Sequence, residues 1–381
     1  MLFSLRKGEM DKGIKKYLIA SSVLIGSCIG AGVLGIPYVA AQAGLLVTFF
    51  YILFVGLMIY VVNLYLGEIC LRTKGHHQLI GYVEKYLGRK MRHVMEGAVV
   101  FGIYAALIAY MVGMGQSFSQ MFTGSTDHYI FFGLGIGLLM SVLVYGGTSS
   151  LKRFEKYGVA IILILLLVII GVFIGDVKSS NIFTFEASNV LLPFGVVLFA
   201  LMSFQVIPEL KIVLKGDEKY IKRVIRTGSI VSVLFYILFA FVVVGYKGID
   251  TPQVATLALG HIFVFLGIFT MFTSYIASGV ALRESFKYDE RMKNSRAWFF
   301  AAIIPVVLFL FTQLTDFFSF TKILSIGGVV SGGLMAMVIL LMIRKSKVKS
   351  SRKPEYSVPA NWFVVGSLIL LFLLGVVMQL I

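Results

Sequence analysis

The sequence predicts an all-α polytopic membrane protein, on three observations: its apolar load, the spacing of its apolar runs, and the placement of its basic residues. Of 381 residues, 59% are hydrophobic and 14% charged, and the mean hydropathy is +0.94. No single soluble core buries that much apolar surface, which excludes an ordinary soluble globular protein. At roughly 20 residues per crossing, eleven spans take about 220 residues and leave about 160 for loops and termini. A soluble enzyme domain of normal size does not fit in that remainder, so the chemistry sits within the membrane part.

Apolar runs lie at 17–43, 45–70, 93–122, 129–147, 157–175, 190–214, 227–245, 255–282, 297–314, 320–343 and 361–380. With residues 1–16 inside, 31 of the 34 Lys and Arg residues fall in that terminus and in alternate loops, and only Lys178, Lys247 and Lys322 lie opposite. The positive-inside rule then puts the N-terminus in the cytoplasm and the C-terminus outside a cell membrane. This split also accounts for the net charge of +16 without nucleic acid, since a basic cytoplasmic face meets anionic lipid. The two cysteines, Cys28 and Cys70, form no spaced ligand cluster, so neither a disulfide framework nor a zinc site is expected.

In chain order, the first span follows a basic stretch through Lys16 and superficially resembles a signal peptide, but ten further spans follow and it reads as a retained helix. It carries Gly26-Ser27-Cys28-Ile29-Gly30-Ala31-Gly32 at mid-depth and then Ile36-Pro37. The second span ends in Glu68, four residues before Arg72, a spacing that suits an ion pair at the cytoplasmic rim. The basic stretch 73–92 and the start of the third span hold His76, His77 and His93, with nothing to mark them as metal ligands or proton relays. Spans three to five are apolar, and Lys156 precedes the fifth at its cytoplasmic end. The sixth carries Phe199-Ala200-Leu201-Met202-Ser203-Phe204, then Ile207-Pro208 and Glu209. The eighth contains Thr270 and Thr273-Ser274, Asp316 falls in an external loop after the ninth, and the rest are apolar.

Spans one and six are alike in their interruptions. Pro37 and Pro208 stand 171 positions apart, a superposition that sets Gly32 opposite Ser203 with five spans between the two elements. A five-helix unit used twice is inverted the second time, because an odd number of crossings reverses its first helix. Interrupted helices at matching places in two halves are the best sequence pointer to a transporter's binding site. Glycine costs about 1 kcal/mol in a helix interior and proline about 3, so three glycines in seven residues favour unwinding. Amides at the start of the second half-helix, near Gly32, would stabilise a carboxylate. Carbonyls from Gly26 to Ile29 suit an ammonium group or a sodium ion, and an α-amino acid presents both charges close together. The plainer reading is a small-xxx-small packing face around Gly30 and Gly32, with Phe199 and Phe204 as core aromatics.

The run Ile29-Gly30-Ala31-Gly32-Val33-Leu34-Gly35-Ile36-Pro37 resembles the first-helix signature of the amino acid/auxin permease family, within the amino acid, polyamine and organocation transporter superfamily. The segment from Phe199 to Phe204 resembles the family's sixth helix. The resemblance extends over nearly the whole chain and implies a LeuT-type fold: two inverted five-helix repeats, 17–175 and 190–343, plus an extra helix at 361–380, in one transporter domain. It implies a central site between spans 1, 3, 6 and 8. The backbone at Ser27, Cys28, Gly30, Ala31 and Gly32 would bind the carboxylate and ammonium, with carbonyls near Phe199, Ala200 and Met202 completing the ammonium site. Side chains at Ser203 and Phe204 would face the substrate side chain. Thr273 and Ser274, with carbonyls at Gly26, Ile29 and Thr270, match the sodium site of sodium-coupled members. Thr273 and Ser274 bonding back to their own helix is the competing reading. The chain lacks the helix 1 asparagine of some sodium-coupled relatives, having Gly26 there, and the mid-helix 5 lysine of proton-coupled ones. The coupling ion therefore stays open between sodium and a proton.

The function these features predict is a secondary active transporter importing a neutral, apolar or aromatic amino acid by cation-coupled symport with alternating access. One cation moving down a membrane potential supplies about 2.3 kcal/mol per 100 mV. A neutral substrate is expected because no Asp, Glu, Lys or Arg stands in the interrupted segments. Glu209 is a candidate cytoplasmic gate, otherwise an interfacial carboxylate. An amino-acid-sensing receptor of the same fold is the alternative, and no constellation for an intramembrane enzyme is present. The expected partners are the amino acid and the bilayer, with no nucleic acid, no cofactor beyond the coupling ion, and a monomer by default.

Overall fold

The computed structural model describes residues 2–146, 164, 167–288, 290–315 and 318–380. Regular structure among these residues is helical throughout. The chain runs through α1 (Leu2–Cys28), α2 (Ala31–Ala43), α3 (Leu45–Arg72), α4 (Leu79–Leu87), α5 (Arg89–Thr123) and α6 (Tyr129–Gly146). Next come α7 (Leu167–Asp176), α8 (Leu192–Leu201), α9 (Ile207–Val213), α10 (Ile221–Lys247) and α11 (His261–Tyr288). The chain closes with α12 (Asn294–Leu314), α13 (Phe320–Val348) and α14 (Trp362–Leu380).

Among the described residues, eight helices are long and apolar enough to cross a bilayer, and α1 with α2, bent by 51° at their break, make a ninth. The sixth apolar run appears as the short helices α8 and α9. The fifth is described only in part, as α7, and Lys156 and Asp316 lie outside the described residues. Two boundaries differ from expectation. Helix α1 begins at Leu2, well ahead of the apolar run. The eighth span starts at His261 instead of 255, because Gly260 adopts φ +93° and Ala255–Ala258 form a separate 3-10 turn.

Two glycines with left-handed φ set sharp corners. Gly44, φ +109°, joins α2 to α3, and Gly88, φ +88°, joins α4 to α5. Helix α4 follows its apolar spacing: Leu79, Tyr82, Val83 and Tyr86 are buried while Glu84 and Lys85 are exposed, one stripe of a helix lying along the bundle end. It rests on α5 and on α13.

Burial grades the helices from centre to rim. Helix α5 is the hub, with 78% of its apolar window buried, whereas α14 has 11%. Helices α2, α8, α11 and α13 pack around α5 or on one another, and small residues allow the close approach. A Cβ on Gly328 of α13 would meet the Gly195 carbonyl and the Phe199 amide of α8, and one on Gly327 would sit 2.7 Å from Ala105 of α5. These glycines belong to a π-helical turn, Gly327–Gly332, which lets α13 follow both neighbours. Such turns recur at functional sites.

Candidate functional site: two helix breaks joined by a tyrosine

The first break falls at Ile29–Gly30. Helix α1 stops at Cys28, the Gly30 amide donates to the Cys28 carbonyl at 3.1 Å, and α2 starts at Ala31 without a side-chain cap. The amides of its first turn therefore lack i−4 partners, at the positive end of the helix dipole. The second break spans Met202–Val206, between α8 and α9, with Pro208 in the first turn of α9. There the Met202 amide folds back to the Phe199 carbonyl at 3.4 Å.

The two breaks meet at one hydroxyl. Tyr236 of α10 is fully buried, and its O–H faces the Cys28 carbonyl at 2.5 Å and the Ala200 carbonyl at 2.8 Å. One proton is shared between two acceptors, so the carbonyls ending α1 and α8 converge on a point while keeping lone pairs for another donor. The Cys28 thiol lies 4.0 Å from the Leu201 carbonyl, reinforcing the same junction.

The glycines of the first break have different surroundings. A Cβ at Gly32 would stand 2.5 Å from Ala200 Cα, so Gly32 is where α2 and α8 touch backbone to backbone. A Cβ at Gly30 would instead meet Tyr110 Oη of α5 at 3.0 Å and Ser274 Oγ of α11 at 3.8 Å. Gly30, Tyr110, Ser274 and the Tyr236 junction thus bring spans 1, 3, 6, 7 and 8 together.

The remaining sequence-predicted residues distribute as follows. Ser27 bonds back to the Leu24 carbonyl at 2.7 Å. Gly26 is half-buried and Ile29 buried, and Ala31 contributes its backbone at the start of α2. Phe199 lies against the π turn of α13, and Met202 reaches toward Gly102 of α5 and Gly332 of α13. The Ser203 hydroxyl is held by Asn63 Nδ2 of α3 at 2.9 Å, and Phe204 is fully buried. Thr270 bonds back to the Gly267 carbonyl at 2.9 Å, and Thr273 to those of Phe269 at 3.2 Å and Thr270 at 3.0 Å. Those hydroxyls use their protons locally, yet each keeps lone pairs that a cation could take. Glu209 is exposed in the first turn of α9. Outside the predicted set, Tyr104 of α5 bonds the Phe300 carbonyl of α12 at 2.7 Å, and Ser325 packs against Gly195. Of the tyrosines on α5, it is Tyr110 that faces the break.

At the end of the bundle holding the basic loops, Lys211 of α9 donates to the carbonyls of Cys70, Thr73 and Gly75 at 2.9, 2.7 and 2.7 Å, neutralising the C-terminal dipole of α3. Fully buried Glu68 pairs with Arg72 at 2.7 Å and accepts from Ser357 Oγ at 2.9 Å and the Val358 amide at 2.6 Å. Its reach extends beyond the rim pair to the linker before α14. Among the described residues no group of three His, Cys, Asp or Glu side chains could hold a metal ion.

Sequence reasoning missed Tyr236 and Asn63. Asn63 carried a signal, as an amide within an apolar span. Tyr236 carried none, because a tyrosine aimed at orphan carbonyls looks in sequence like any other membrane tyrosine.

Residues 14–381 match the sequence pattern of the tryptophan/tyrosine permease family. The chain belongs to that family. Two relatives extend the comparison. Tyrosine-specific transport system 1 of Haemophilus influenzae is 23% identical over 229 residues, covering 58% of this chain and 56% of that protein. Glutamine transporter 2 of Aliivibrio fischeri is 24% identical over 286 residues, covering 70% of this chain and 74% of that protein. The match thus spans little more than half the length of the first relative and about three quarters of the second. Both names describe amino-acid transporters, in keeping with a multi-pass membrane permease.

Proposed function

We propose that this permease imports a neutral amino acid by cation-coupled symport, holding the zwitterion where the breaks of spans 1 and 6 meet. The observation that carries this reading is the Tyr236 junction. Uncapped amides of α2 lie beside Gly30, and carbonyls ending α1 and α8 converge on one hydroxyl. A carboxylate belongs at the first and an ammonium group at the second. The named neighbours Tyr110, Ser274, Cys28 and Ala200 are uncharged, which favours a substrate without a charged side chain. Tyrosine and glutamine, in the names of the two relatives, are both of that kind.

The architecture that fits this reading is the eleven-span LeuT-type arrangement of the amino acid, polyamine and organocation superfamily, with inverted repeats at 17–175 and 190–343 and the basic face cytoplasmic. Alternating access then rocks one helix bundle against the rest around the fixed site. Gly26, Ile29, Thr270, Thr273 and Ser274 are the proposed sodium ligands, and a proton is the other candidate. Ser274 beside Gly30 supports the sodium assignment.

The test is uptake of labelled tyrosine and glutamine into proteoliposomes under an inward sodium gradient, an inward proton gradient, and neither. Accumulation above equilibrium under one gradient is the expected result and names the ion. Binding without accumulation under any gradient would replace the symporter with a sensor.

A further inference from the structure

Away from the helix breaks, the linker between α13 and α14 folds back onto the end of α3 and borders an open cavity of about 530 Å³. Arg72, Arg352, Lys353, Ser350, Ser351 and Ser357 line it. The Arg72 carbonyl accepts the Ser351 and Arg352 amides at 3.0 and 3.2 Å, and Ser351 Oγ accepts the Lys74 amide at 2.8 Å. Tyr356 anchors the linker to the Leu64 carbonyl at 2.7 Å. The walls are thus held by main-chain bonds and by a side chain set into α3.

Three cationic groups and three hydroxyls face one volume, and no carboxylate lines it. The nearby acids are engaged: Glu68 with Arg72, Ser357 and Val358, and Glu355 with Arg352. Arg72 spends Nε and Nη2 on Glu68 and Ser357, while its Nη1 has no acceptor among the described residues. Guanidinium and ammonium donors match the oxygens of a phosphate, while the three hydroxyls brace the walls by donating to the Arg352 and Arg72 carbonyls and to Glu68. The height is also right for a membrane edge. Arg72 ends α3, and the linker leads to Trp362 at the start of α14, whose ring carries the Arg344 guanidinium at 3.9 Å. Aromatic and cationic residues mark the headgroup level, and basic pockets there take anionic headgroups. The largely unburied side of α14 gives acyl chains a path.

We propose that this cavity binds a phosphate group at the membrane edge, supplied by an anionic phospholipid headgroup or by a free phosphate. The proposal stands independently of the transport reading. The test is thermal unfolding of the purified full chain in neutral detergent, titrated with short-chain phosphatidylglycerol, with phosphatidylcholine of the same chains, and with inorganic phosphate. Phosphatidylglycerol should raise Tm in a saturable way, the shift should vanish in R352A/K353A, and R352K/K353R should restore it. A shift with inorganic phosphate alone, lost in the same variant, would support the site and assign it to free phosphate. Equal shifts with phosphatidylcholine, no shift with any ligand, or a shift unchanged in R352A/K353A would overturn it.

Discussion

The Tyr236 hydroxyl lies 2.5 Å from the Cys28 carbonyl and 2.8 Å from that of Ala200, so one side chain on α10 fixes the ends of two helices far apart in sequence. Tyr236→Phe removes that donor and leaves both buried carbonyls short of a partner, a loss of about 1–3 kcal/mol. The variant should insert normally but show a raised KM for uptake and a Tm lower by several degrees. Wild-type KM and Tm would show that the junction carries no weight.

Gly30 and Gly32 should behave differently. Gly32→Ala drives a methyl group into the Ala200 backbone, 2.5 Å away, so α2 and α8 must separate at a cost of about 1–3 kcal/mol, typical of overpacking. Gly30→Ala meets only side chains, those of Tyr110 and Ser274, the nearest atom being Tyr110 Oη at 3.0 Å. The expected outcome is a destabilised Gly32→Ala and a Gly30→Ala that folds but loses most uptake, with Gly30→Val inactive. Thermal unfolding followed by uptake separates the two effects.

The ion site predicts a change in coupling without loss of fold. Thr273→Ala with Ser274→Ala deletes two candidate ligand oxygens, of which the Thr273 hydroxyl bonds within α11 and the Ser274 hydroxyl has no hydrogen-bond partner among the described residues. Sodium-driven uptake should fall at least tenfold, with Tm close to wild type. An unchanged sodium response would remove these hydroxyls from the mechanism.

Glu68 predicts a mechanical effect at the basic face. Its carboxylate holds Ser357 and the Val358 amide and sits 3.4 Å from Lys347. Glu68→Gln weakens these charge-assisted bonds, each worth about 1.5–3 kcal/mol, and should release the linker. Trypsin should then cut faster after Arg352, the Lys353–Pro354 bond being resistant to it, an outcome read directly by peptide mapping.

Most of the helical plan was legible because a membrane makes apolar runs unambiguous, and the paired interruptions at Gly30 and Met202 were legible because glycine and proline are costly there. Side-chain direction was not. Gly32 lies in the same motif as Gly30, yet only packing against Ala200 makes it a contact residue. Ser203 lies next to Met202, yet its hydroxyl turns to Asn63 on a distant helix. Tyr236 acts across more than two hundred residues of sequence. No local period encodes such contacts, because nearly every face of these helices is apolar.

The claim that a zwitterion is held between α2 amides and the α1 and α8 carbonyls is tested most directly by competition in proteoliposomes. Uptake of the labelled amino acid would be measured against the unlabelled compound, its decarboxylated amine, and its deaminated acid. Only the full amino acid should compete, because each analogue abandons one end of the site. Equal competition by the amine or the acid would contradict the account.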